Sequence, residues 1–441
     1  MDNNNQTKQK SYKLPIAIMF MLFFMIAFVT GYQNPLGSVI KNLSGGNAVM
    51  TQLGTLCNFI AYAFMGIPAG LLLQKKGYRI TAIAAVSVGF AGVAITYLSG
   101  FITDNNTLAV IIYLLGAFVA GFSMCMLNTV VNPMLNSLGS TPNKGNQLIQ
   151  IGGSCNSFGA TLAPMIVGGL IGGEASSISS ANPVFYLAMG IFAVAFCVLY
   201  FSKLPEDPNL GKKKNNGLKL GGALKYRNLL FGLIAIFAYI GVEVGIANWG
   251  LQYLTESELV RVNNNEVESS AIAGTVVAIY WLLMLVGRLV GASVGAKVSS
   301  RAMLLFTSIG TIIFLLLGIN LSETIMPFIG FTSATFEFSI VNIPLNAIFF
   351  ILCGLFTSVM WGAIFNLSVT GLGKYTAYAS GLFMVMVCGG GILPTIQGFL
   401  VGENLLNSFY LIVVLCAYMF MYALALSKPN QPEVKEELVE E

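Results

Sequence analysis

The sequence predicts an all-α membrane protein of about twelve transmembrane helices, built as two six-helix halves, and three observations carry that expectation. Charged residues make up 9% of the 441 residues and hydrophobic residues 56%, with a mean hydropathy of +0.78; soluble domains carry about 25% charged residues. Such a chain cannot cover itself with polar surface and needs lipid as its solvent, where only helices and closed barrels satisfy every backbone polar group. The apolar runs are continuous over about 20 residues rather than alternating over ten, which selects helices. The longest polar interruption, LPEDPNLGKKKNNGLKLGG at 204–222, falls at the midpoint.

Taken in order, the N-terminal segment Met1 to Lys13 is polar, and the apolar run from Pro15 to Tyr32 lacks a small-residue cleavage site. It reads as a signal anchor and first span rather than a removed signal peptide. Further spans are predicted at 48–73, 79–101, 108–134, 147–173, 183–202, 226–253, 271–296, 301–320, 342–371, 376–402 and 404–426. The Pro-, Gly- and Lys-rich stretch becomes a linker at 204–224 between halves 1–203 and 225–427, and 428–441 is a polar tail.

Orientation follows from the basic residues. With both termini in the cytoplasm, all but Lys41, Arg261 and Arg288 of the 22 Lys and Arg residues fall on the cytoplasmic side, including Lys75, Lys76, Arg79, Lys144 and the run Lys212, Lys213 and Lys214. That is the positive-inside pattern. An error in helix number would scramble it, so the split also supports twelve spans with both termini inside; the expected location is the inner (cytoplasmic) membrane. The sequence has no histidine, which removes imidazole relays, His-containing zinc sites and Ser-His or Cys-His catalysis. The seven cysteines (Cys57, Cys125, Cys155, Cys197, Cys353, Cys388, Cys416) lie singly in apolar segments without a C-x-x-C spacing and read as small core residues.

The halves resemble each other. Phe122, Asn132, Leu138 and Gly139 in the fourth span share their spacing with Phe356, Asn366, Leu372 and Gly373 in the tenth, and Gly66, Gly70 and Lys76 match Gly287, Gly291 and Lys297. Duplicated halves with a site at their interface are the organisation of secondary transporters. The stretches PAGLLLQKKGYR (68–79), LNTVVNP (127–133), CNSFGA (155–160), YIGVEVGIANWGLQYL (239–254), GRLVG (287–291) and VCGGGILPTIQGFL (387–400) span nearly the whole chain. In order and placement the sequence resembles the major facilitator superfamily, in the fucose:proton symporter branch that also contains bacterial glucose/galactose permeases. The resemblance implies alternating-access import of a sugar or sugar derivative, coupled to a proton or sodium ion.

Departures from the family pattern fall on its functional positions. Asn128 stands where members carry a glutamate, and Asn34 and Pro35 where they carry an aspartate; Gly153 replaces a substrate-binding glutamine, and Trp361 corresponds to a tyrosine. Both acids associated with proton coupling are therefore absent. Glu243 and Arg288 are the two ionisable residues well inside spans, and such residues are functional candidates because they are costly in hydrocarbon. Glu243 resembles the glutamate that glucose/galactose members place there and is the candidate ion-coupling residue, or else a structural carboxylate neutralised by a hydroxyl. Counted from the cytoplasmic helix ends, Glu243 and Arg288 differ in depth by roughly 13 Å at 1.5 Å per residue, so no direct ion pair is expected. Arg288 is then a cytoplasmic-side gate latch or helix–helix glue.

Sugar recognition needs amides or carboxylates for hydroxyls and an aromatic face for the apolar side of a pyranose. The candidates are Gln33, Asn34, Asn128, Asn132, Asn156, Tyr239, Asn248, Trp281, Trp361 and Gln397, with Trp361 preferred for stacking; each polar one is either a ligand or interhelical glue. Trp249, near the outer end of its span, reads as an interfacial belt residue. No Walker sequence or soluble nucleotide-binding domain is present, and catalytic motifs are missing, so a carrier is expected rather than an enzyme or an ATP-driven pump. No cofactor is expected beyond a coupling proton or sodium ion. The expected partners are a monosaccharide-like solute and the lipid bilayer, with no nucleic acid, and the chain is expected to act as a monomer. A carrier or uniporter for a non-sugar solute is the alternative.

Overall fold

The computed structural model describes residues 12–139, 142–171, 177–206, 220–264, 269–294, 298–321, 324–332, 337–372, 376–402 and 404–429. The expected cytoplasmic N-terminus up to residue 11, most of the linker with Lys212, Lys213 and Lys214, and the tail from 430 lie outside those residues. So do Lys297 and Lys374, and the side chains of Asn34 and Lys144.

Ten continuous stretches among the described residues are long and apolar enough to cross a membrane. One of them holds two spans, and a further helix over Pro142–Ile171 completes the twelve. The first half consists of α1 (Lys13–Gly31, continued by Gln33–Leu43), α2 and α3 (53–76 and 78–99), α4 (Asn106–Leu138), α5 (Pro142–Ile171) and α6 (Asn182–Phe201). The second half consists of α7 (Arg227–Glu256), α8 (Ser269–Val294), α9 (Ser300–Asn320), α10 (Leu345–Thr357 and Met360–Val369), α11 (Thr376–Met386 and Gly389–Phe399) and α12 (Phe409–Met421, ending in a π turn Tyr422–Leu426).

The break between α2 and α3 sits at Gly77, whose φ of 80° and ψ of 178° fall in a region that side chains with a Cβ avoid. Glu206, just past α6, completes that corner: its carboxylate accepts the backbone N–H groups of Tyr78 at 2.7 Å and Arg79 at 3.0 Å. An anion is thus placed on the amides at a helix start.

A repeat in three dimensions accompanies the one in sequence. At the start of α3 the Arg79 guanidinium donates to the carbonyls of Leu199 and Tyr200 at the end of α6. At the start of α9 Arg301 donates to the carbonyls of Ala423 and Leu424 at the end of α12. Each cation satisfies carbonyls that a helix C-terminus leaves without an amide partner, and the two arginines hold equivalent positions in the two halves.

The halves meet along α2 with α11 and α5 with α8. A Cβ on Gly66 of α2 would lie 3.0 Å from Val385 of α11, and a Cβ on Gly274 of α8 would lie 2.7 Å from the Pro164 carbonyl of α5. Small residues let these backbones approach. On the lysine-poor face Lys41 pairs with Glu256 across the halves, and Asn248 of α7 donates to Gln52 Oε1 at 2.8 Å.

Three sequence expectations are corrected. The interval 321–341 left between two spans, together with residues 342–344 of the span predicted at 342–371, holds an antiparallel hairpin of β1 (Ile325–Thr332) and β2 (Glu337–Pro344), so the helical bundle carries a small sheet. Trp249 is not a belt residue: it is fully buried, its Nε1 donates to the Pro394 carbonyl at 2.9 Å, and its ring packs over Gly398. The lack of a side chain at Gly398 makes that inner position available. Cys197 is exposed on α6 rather than a core residue; a lone thiol behaves as a small hydrophobe and sits as readily against lipid as inside.

Candidate functional site

The site is built around α7. Tyr239 and Glu243 are one turn apart and therefore share a helix face; Tyr239 is fully buried, and 14% of the Glu243 side chain is exposed. Tyr280 of α8 donates its hydroxyl to the Glu243 carbonyl at 3.1 Å, cross-linking the two helices at this level. The Tyr239 ring meets Trp361 of α10 edge to face, with centroids 6.3 Å apart, and Trp361 is itself half-buried.

Contrary to the depth argument, Arg288 reaches Glu243: Nη2 lies 3.8 Å from Oε1, and 15% of the Arg288 side chain is exposed. The physical reason is direction. Every Cα–Cβ bond tilts toward its own helix N-terminus. Since α7 and α8 run antiparallel, Glu243 and Arg288 lean toward each other, and the long arginine side chain closes the remaining gap. Counting residues from helix ends placed the Cα atoms but not the side chains.

Arg288 also crosses to the other half, where Nη1 donates to the Gly153 carbonyl of α5 at 2.8 Å. A Cβ on Gly153 would lie 3.0 Å from that nitrogen, so the missing side chain at this position is what lets the guanidinium settle against the backbone. One cation thus touches the buried carboxylate of its own half and a carbonyl of the opposite half. Sequence reasoning noted Gly153 as a departure but missed its role as acceptor.

The remaining candidates are distributed. Trp281 packs edge to face on Tyr280, centroids 5.2 Å apart. On α5, one turn from Gly153, Asn156 donates to the Phe23 carbonyl of α1 at 3.0 Å. Asn128 donates to Tyr62 Oη and the Met124 carbonyl, both at 3.1 Å, and Asn132 donates to the Asn128 carbonyl. Gln33 is buried and accepts from Tyr113 Oη at 2.5 Å. Asn248 is engaged with Gln52, and the buried Gln397 donates to Ser408 Oγ at 3.2 Å. The structure brings Tyr239, Glu243, Arg288 and Trp361 together; Gln33, Asn248 and Gln397 join helices instead. Among the described residues, no three His, Cys, Asp or Glu side chains come together as a metal site would require.

Residues 16–393 match the Major Facilitator Superfamily. The chain belongs to that superfamily. This superfamily member is 27% identical over 433 residues to the glucose/galactose transporter of Brucella abortus, covering 96% of each chain. It is 26% identical over 446 residues to a putative glucose/galactose transporter of Helicobacter pylori, covering 97% and 99%. Against the L-fucose-proton symporter of Escherichia coli it is 21% identical over 417 residues, covering 89% and 88%. Among solved structures, the fucose symporter FucP in its outward conformation superposes with a TM-score of 0.67 at 18% identity, covering 95% of this chain and 99% of that one. A D-xylose-proton symporter gives 0.63 at 14% identity, covering 93% and 95%. Those likenesses establish that the bundle has the superfamily's fold.

Proposed function

We propose that the protein is a secondary active transporter that imports a sugar or sugar derivative by alternating access, coupled to a proton or sodium gradient. Halves 1–203 and 225–427 rock against each other about the 204–224 linker, with both termini in the cytoplasm of a cell whose inner membrane holds the chain. The carrying observation is the buried Glu243–Arg288 pair, whose arginine is also hydrogen-bonded to Gly153 across the interface. Neutralising Glu243 with a proton, or satisfying it with a sodium ion, frees Arg288 from its carboxylate. Occupancy of the ion site then changes the contact between the halves, which is what coupling requires.

The sugar reading is supported by the full-length likeness to glucose/galactose transporters and the fucose symporter and by the Tyr239–Trp361 aromatic pair beside the charged pair. Trp361 presents the stacking face, and Asn156 with neighbouring amides takes hydroxyls. A thermal-shift screen over neutral, acidic, amino and deoxy sugars tests the substrate class, since a ligand that binds the folded state raises Tm. A monosaccharide that raises Tm in the wild type and fails to in Trp361→Ala supports it. Stabilisation by another solute class with none by any sugar overturns it in favour of a non-sugar carrier.

A further inference from the structure

The β1–β2 hairpin is a feature that transport does not explain. Its register pairs Phe328 with Val341 and Met326 with Ile343 on one face, and Ile329 with Ile340 and Phe331 with Phe338 on the other. Val341 and Ile343 of the first face are buried against the protein. The second face is turned outward, with Ile329 60%, Phe338 72% and Ile340 79% exposed. A water-facing strand normally carries polar side chains there.

The height of the hairpin is fixed by its contacts. Thr275 Oγ1 donates to the Phe331 carbonyl and accepts from the Phe331 amide, both at 3.1 Å. Thr275 belongs to the apolar stretch of α8, Ala271–Gly291, that is long enough to cross a membrane, so the far end of β1 is held beside a membrane-spanning segment. Near its base, Asn264 accepts from the Asn342 amide and donates to the Asn342 carbonyl, at 2.5 and 2.7 Å. The hairpin is therefore clamped at two levels alongside the bundle. It also joins α9, whose exposed apolar side chains Phe306, Ile309 and Ile313 are those of a lipid-facing helix, to α10, which starts directly after Pro344.

We propose that the outward face of the hairpin, Ile329, Phe331, Phe338 and Ile340, is seated in the headgroup–acyl boundary of the bilayer and anchors this edge of the second half to lipid. Paired strands carry an apolar face into that boundary while their backbone groups stay hydrogen-bonded to each other. No Lys or Arg occurs between Arg301 and Lys374, so the attraction is hydrophobic rather than electrostatic. Insertion is accordingly expected to be insensitive to salt and to the fraction of anionic lipid.

The full chain carrying Ile340→Cys, labelled with an environment-sensitive NBD fluorophore in phosphatidylcholine vesicles, tests this. Glu258→Cys, on the exposed short helix that precedes α8, supplies the aqueous reference, and the labelled parent protein supplies the background from native cysteines. Lipids with a nitroxide at a shallow acyl position are expected to cut emission from 340 by roughly half, as insertion at that boundary requires, while aqueous iodide quenches 258 far more than 340. Position 340 responding like 258 would mean a solvated hairpin and overturn the proposal. Shielding of 340 from both quenchers would point instead to a second copy or another protein on this face, and would equally overturn it. Phe338→Cys, on the same face, serves if the first variant fails to elute as a monodisperse protein.

Discussion

At the residue scale, the chemistry of the site rests on two charges held out of water together. A buried pair contributes little relative to a well-packed apolar substitute, but removing one partner strands the other and costs about 3–5 kcal/mol. Arg288→Leu is therefore expected to lower stability in a detergent unfolding assay by that order, and Glu243→Leu combined with it to recover most of the loss. Additive effects of the two substitutions would show that the pair does not act as a unit. Trp361→Ala should weaken substrate binding about tenfold, the order expected when a stacking face is lost, while leaving the melting temperature of the unliganded protein nearly unchanged. An unaltered Kd in a folded variant removes Trp361 from the binding site. The identities of Glu243 and Arg288 as the ionisable groups deep in the spans were legible from their places in the apolar runs. Their contact was not, because it depends on the lean of side chains on antiparallel helices. Trp249 was misplaced for a related reason: depth along a helix is readable from sequence, whereas facing is not when nearly every residue of the helix is apolar.

At the element scale, the corner between α2 and α3 shows what a single backbone position controls. A Cβ on Gly77 would approach Glu206 Oε2 to 2.4 Å, at a φ of +80°. Gly77→Ala is accordingly expected to destabilise by roughly 1–3 kcal/mol, visible as a lower Tm, whereas Gly70→Ala, with nothing within 4 Å of the added Cβ, should not. Equal effects of the two would remove the special role of the corner. Boundaries of the spans followed closely from runs of apolar residues, since length is the variable the bilayer constrains. The hairpin escaped because β2 has apolar residues on both faces, Phe338 and Ile340 outward and Val341 and Ile343 inward. That erases the period-two alternation by which a strand is recognised. The arginine repeat, Arg79 with Arg301, was likewise hidden, since only the carbonyls at the far ends of α6 and α12 make the two side chains equivalent.

At the scale of the whole molecule, twelve helices in two halves and membership of the superfamily were readable from hydropathy, charge distribution and short motifs that cover most of the chain. The orientation of those halves makes its own prediction: a cysteine placed by Lys213→Cys should resist an impermeant reagent in intact cells and react after permeabilisation. Labelling in intact cells would invert the topology. The central claim is that Glu243 carries the coupling ion, since the family resemblance implies that Asn34, Pro35 and Asn128 stand where members carry acids. The most direct measurement is uptake of the substrate by proteoliposomes holding wild type or Glu243→Gln, followed both against an imposed proton or sodium gradient and as exchange of labelled substrate. Neutralising a coupling residue should abolish accumulation and spare exchange, because exchange needs only the loaded carrier to reorient. Uphill uptake that persists in Glu243→Gln would contradict the account.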